Sequence, residues 1–186
     1  MVQGKKGRKI KFAKEKYRRH YIQGFVDAEG CFSVSLKKVP TARFGWTIDP
    51  VFHVTQHKKN RAVLEMIRDV LGCGRIAEKH GQRDCLIYVV DNRRQLLEKV
   101  VRFFERYPLL AKARDFEKFK KIVVGLEQKE HWTREGFKNL ARLAFEMNSL
   151  GKQRRYKMER IFRDVVEGAD SSETTSQASA SWMSNP

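Results

Sequence analysis

The stretch YIQGFVDAEGCFSVSLKK, residues 21 to 38, constrains the fold more than any other part of the chain. Leading into it and through its first half, Tyr17, Tyr21, Phe25 and Ala28 recur with helical spacing. Its second half alternates, with Phe32, Val34 and Leu36 on one side and Ser33, Ser35 and Lys37 on the other, as in a half-buried strand. The period changes within a few residues. A helix over 17–28 must therefore feed almost directly into a strand, with Gly30 placed as a helix C-cap. Two features of the helix end need a reason. Gly24 and Ala28 are four apart and share a face. A glycine inside a helix costs ~1 kcal/mol relative to alanine, and such a small face lets two helix backbones touch. Asp27 and Glu29 put negative charge at the negative end of the helix dipole, which is unfavourable unless a cation is close by.

The same periodicities order the rest of the chain. WTIDPVFHVTQ reads as a second strand, with Ile48, Phe52 and Val54 inward and Thr47, Asp49, Val51 and His53 outward. Pro50 has no N–H, so the strand is interrupted there or lies at a sheet edge. Residues 60–71 form a helix that Gly72 ends. GRIAEK and DCLIYVV form a hairpin around the His80-Gly81 turn, and a helix over 93–107 stops at Pro108. This is an α+β chain of order αββαββα with four antiparallel strands. Further helices follow over 113–128, from Thr133 as N-cap, and over 153–167. The expected organisation is a basic arm over 1–13, one domain over 14–167, and a Ser/Thr-rich tail over 168–186 with too little to bury to fold.

Charge narrows the function. Lys and Arg number 39 against 22 Asp and Glu, a net of +17. That excess calls for a polyanionic partner, and nucleic acid fits best. A membrane partner is not expected, because no apolar run reaches the ~18 residues of a span. Cys31, Cys73 and Cys85 are odd in number and lack paired zinc-site spacing, so they are expected to be reduced thiols of an intracellular protein. The expected compartment is a bacterial or archaeal cytoplasm or an organelle interior.

The motif YIQGFVDAEGCF resembles the LAGLIDADG motif of homing endonucleases. Gly24, Phe25, Asp27, Glu29 and Gly30 match it, and Ile22 stands at an aliphatic position. HVTQHKKNRAVLEMI, LGCGRI and FFERYPLLAKARDFEKFKKIV are similar to later landmarks of that family, so the resemblance covers roughly residues 14 to 150. It implies a saddle-shaped sheet that fits a DNA groove. It also implies two motif helices packed through Gly24, Phe25 and Ala28. With one motif copy per chain, the implied assembly is a homodimer on a pseudo-palindromic double-stranded site.

Carried over residue by residue, Glu29 stands at the metal-binding acid, with the Ala28 backbone carbonyl as a further ligand for Mg2+ or Mn2+. Asp27 is read as a supporting hydrogen-bonding group at the helix end. Gln56 matches a position holding the metal-bound water network, and Lys112 matches the active-site lysine. Either Asn60 or Arg61 aligns with a neighbouring active-site position. Those types suit the chemistry: a water must be activated near a carboxylate-held metal, and a cation must offset charge on the phosphate. DNA reading is expected from the outward positions Ser33, Ser35, Lys37, Thr47, Asp49, His53, Arg75, Lys79, Asp84 and Tyr88, with Arg43 on phosphate. The first reading is a metal-dependent site-specific DNA endonuclease. The alternatives are a maturase acting on group I intron RNA and a non-catalytic DNA-binding regulator on the same fold. Glu29, Gln56 and Lys112 together argue against the regulator, which has no use for a metal acid.

Overall fold

The computed structural model describes residues 15–147 and 156–167, so the basic arm and the Ser/Thr-rich tail lie outside the described residues. The opening stretch folds as a helix joined to a strand with no loop. Helix α1 spans Glu15–Glu29 and strand β1 spans Gly30–Lys38. Gly30 is not the expected left-handed C-cap: it is absent from the residues of positive φ. Its need for glycine is steric. A Cβ there would lie 2.7 Å from the Val26 carbonyl oxygen and 2.5 Å from Val26 Cγ1.

Strand β2 spans Trp46–His57 without interruption, and β1 pairs with it antiparallel from Gly30↔Val54 to Lys38↔Trp46. Strands β3 (Arg75–Glu78) and β4 (Cys85–Val90) form the second hairpin, giving one antiparallel sheet of order β1-β2-β4-β3. Pairing of β2 with β4 begins at Phe52. Pro50 therefore faces no strand on that flank of β2, which resolves the proline in favour of a local edge.

Helix α2 (Arg61–Leu71) links the hairpins after a short 3-10 turn over Lys58–Asn60. Gly72 ends α2 as expected, in the left-handed conformation at φ 66°, with its N–H on the Arg68 carbonyl at 2.8 Å. The expected helix over 93–107 runs as α3 (Arg93–Gln95), a π-helical stretch Leu96–Val101 and α4 (Arg102–Arg106). Helices α5 (Ala113–Glu127), α6 (Arg134–Met147) and α7 (Met158–Glu167) complete the chain. Thr133 caps α6 as read from the sequence, its Oγ1 accepting from the Gly136 N–H at 3.0 Å.

The core lies between the sheet and the helices. Phe32 is its hub: its ring centroid is 5.1 Å from Phe52, 5.7 Å from Phe104, 5.5 Å from Phe116 and 5.2 Å from Phe119. Aromatic pairs at such separations add about 0.5–1.5 kcal/mol each beyond burial. Helix α7 anchors the far end of the β1–β2 hairpin. Its Asp164 accepts from Trp46 Nε1 at 3.1 Å and Lys38 Nζ at 3.4 Å. Among the described residues one face of the sheet is buried under the helices, and the alternate side chains stay on a face open to solvent.

Candidate active site and outer sheet face

The acids at the end of α1 part company in the structure. Asp27 turns toward the loop before α5. Its carboxylate accepts from the backbone N–H groups of Leu110 at 3.1 Å, Ala111 at 3.0 Å and Lys112 at 2.9 Å. The negative end of α1 thus meets the positive end of α5, and Asp27 bridges them. Burial works to raise its pKa, but those three N–H groups and the Lys112 ammonium outweigh it and hold the carboxyl below the ordinary value. Asp27 is accordingly the supporting group expected of it.

Lys112 supplies the missing cation. The last turn of α1 holds no basic residue. Lys112 Nζ instead reaches in from 84 residues away to donate to the Ala28 carbonyl at 2.8 Å, and it also donates to the Asp27 carbonyl. These are carbonyls that a helix end leaves without intrahelical partners. The carboxylate of Glu29 is exposed. Gln56 Nε2, from the end of β2, points to Glu29 Oε2 at 3.5 Å, and Asn60 Nδ2 donates to Gln56 Oε1 at 3.0 Å. Glu29, Gln56 and Asn60 form one chain of side chains. Arg61 is paired instead with Glu65, its Nε on Glu65 Oε1 at 2.8 Å. Of the two residues left open by the sequence, the fold brings Asn60 to this place. Gln23, not singled out in the sequence, ties the same junction together by donating from its amide to the Pro108 carbonyl.

Beside these groups lies the small face of α1. Gly24 and Ala28 are exposed, and a Cβ on Gly24 would meet nothing within 4 Å. Nothing among the described residues accounts for that glycine. Phe25 is half-buried, packed on the core and stacked with Tyr21 at 5.8 Å.

The open sheet face presents Ser33, Ser35 and Lys37 from β1, Thr47, Asp49 and His53 from β2, and Arg75 from β3. Lys79 lies just past β3, close enough to help burial depress the His53 pKa. Arg43 is exposed in the β1–β2 loop. Asp84 sits in the turn before β4, its carbonyl accepting from the Lys58 N–H at 2.8 Å. Two of the cations are engaged on the same face: Lys37 pairs with Asp49, and Arg75 pairs with both carboxylate oxygens of Asp91 at 2.8 and 2.6 Å.

Tyr88 is a correction. It is fully buried, and its hydroxyl donates to the Cys73 carbonyl at 3.0 Å. The run CLIYVV has no alternation, so the sequence does not say which set faces in. In the fold Leu86, Tyr88 and Val90 fill the core, while Cys85, Ile87 and Val89 face out. Val51, read as outward from the sequence, lies half-buried on this face, and Ile87 and Val89 join it from β4, where the all-apolar run hides which set faces out.

Comparison with known proteins gives the arrangement a context. Residues 22–123 match the family described as LAGLIDADG endonuclease. The chain is similar to Homing endonuclease I-ApeII of Aeropyrum pernix, 34% identical over 149 residues, which span 78% of this chain and 88% of that protein. It is similar to DNA endonuclease I-CeuI of Chlamydomonas moewusii, 40% identical over 87 residues, 47% of this chain and 40% of that protein. Among solved structures, the archaeal intron-encoded homing endonuclease I-Vdi141I complexed with DNA matches with a TM-score of 0.79 and 39% identity, over 83% of this chain and 98% of that one.

Proposed function

The chain belongs to the LAGLIDADG endonuclease family, and from that premise we propose that it is a site-specific double-strand DNA endonuclease working as a homodimer with a divalent cation. One observation carries the reading. The Glu29–Gln56–Asn60 chain and the Lys112 ammonium meet at the end of a helix whose small face, Gly24 and Ala28, is exposed, with nothing among the described residues within 4 Å of a Cβ on Gly24. Two copies packed through that face bring two Glu29 carboxylates side by side.

The donor set fits a hard cation in part. Glu29 and the Ala28 carbonyl offer oxygens of the kind Mg2+ or Mn2+ prefers. Among the described residues no three His, Cys, Asp or Glu groups gather to hold a metal. A single chain therefore supplies half a site, completed by a second copy and by phosphate oxygens. A bound cation would supply activation of a water and would offset charge building on the phosphate. Gln56 and Asn60 orient Glu29 and hydrogen-bond solvent beside it. Lys112 brings positive charge to the same edge, competing with a cation for the Ala28 carbonyl and available to a phosphate when released from it. Asp27 keeps Lys112 in place by fixing the backbone that carries it. The maturase reading is not favoured, since the relatives above are named as a homing endonuclease and a DNA endonuclease.

The test is selection of cut members from a randomised plasmid library in magnesium, followed by comparison with Glu29→Gln. The variant is expected to bind the selected site with unchanged Kd and to cut it more than about 100-fold slower. Cleavage at the parent rate would remove Glu29 from the chemistry. Failure of the parent to cut any member, with magnesium or manganese, would overturn the endonuclease reading.

A further inference from the structure

We infer that the middle of the open sheet face, formed by Val51, Ala77, Ile87 and Val89, selects thymine in the target through its 5-methyl group. The inference rests on the endonuclease reading and adds the chemistry by which part of the site is chosen. Two cross-strand rows define the patch. His53, Val89 and Arg75 stand opposite one another in one row, and Thr55, Ile87 and Ala77 in the next. Val51 lies on the diagonal from Val89, within side-chain reach.

An open antiparallel face normally carries polar side chains in water. Here the polar groups ring an apolar centre instead. Cys31, half-buried, lies beyond His53 in the first of these rows. Two of the cations that could read guanine are drawn off: Lys37 holds Asp49, and Arg75 holds Asp91. Each must give up a carboxylate before it reaches a base.

In a major groove the polar edges of all four base pairs want hydrogen bonds, and an apolar side chain would leave them unmet. The thymine methyl is the feature such a side chain complements. DNA is also the occupant that matches the rim, where Lys79 and Arg43 present positive charge to phosphate. A second copy of the chain has its own surface on α1.

The experiment starts from a site that the full-length protein selects and cuts. Each thymine is replaced in turn by deoxyuridine, which pairs identically but lacks the methyl. At one or more positions in each half-site, binding is expected to weaken about four-fold, the effect of one buried methyl group. Ile87→Ser with Val89→Ser should bind thymine and uracil forms equally at those positions, with circular dichroism checking the fold. If every uracil substitution leaves binding and cleavage unchanged, the inference is wrong while the endonuclease reading stands. Methyl sensitivity that survives the double substitution would place the reader elsewhere and also overturn it. If no site is bound or cut, both readings fall.

Discussion

Asp27 and Glu29 are two residues apart and chemically alike, yet the fold gives them opposite work. Asp27 is spent on structure, accepting from three backbone N–H groups, whereas Glu29 keeps an exposed carboxylate that Gln56 approaches at 3.5 Å. The sequence placed both acids at the helix end and read Asp27 as supporting, but Leu110, Ala111 and Lys112 as its partners lie beyond any local pattern. Asp27→Ala is expected to destabilise the fold by about 1–2 kcal/mol at neutral pH, read by urea unfolding. The sign with pH follows from its depressed pKa. Its contribution is present in full above the ordinary carboxylate pKa of about 4 and is lost as pH falls through the lower folded value. The gap between parent and variant should therefore narrow in acid. A gap of equal size at pH 7 and pH 2.5 would show that the charge of Asp27 contributes nothing.

At the scale of elements, α1 is the informative one. Its inner side holds Ile22 and Val26, both fully buried, and its outer side shows Gly24 and Ala28. Because a Cβ on Gly24 meets nothing within 4 Å among the described residues, Gly24→Leu should leave the stability of a monomer unchanged or slightly raised, through better helix propensity. The same change should abolish dimerisation. Sedimentation would check it, and a Gly24→Leu dimer at the parent's concentration would remove this face from the interface. Strand β4 teaches the opposite lesson about legibility. β1 and β2 alternate, so their outward residues were readable; β4 is apolar at every position, and only its pairing with β2 decides that Tyr88 goes inside. The ring fills core volume and its hydroxyl finds the Cys73 carbonyl, so a polar tip costs nothing there.

For the molecule as a whole, the net charge of +17 and the open sheet face predict how DNA binding responds to salt. A complex neutralising six or more phosphates gives a slope of about −5 or steeper in log K against log salt. Fluorescence anisotropy across a sodium chloride series would measure it, and a slope near zero would mean the charge is not used on the DNA backbone. The order αββαββα, the motif and the small face were legible in the sequence because they depend on spacing along the chain. Spacing cannot say what approaches a helix end from 84 residues away or which side of an all-apolar strand is covered. Those were decided by tertiary packing, because a hydrogen bond or a buried ring is settled by competition among neighbours that the chain brings together only when it folds.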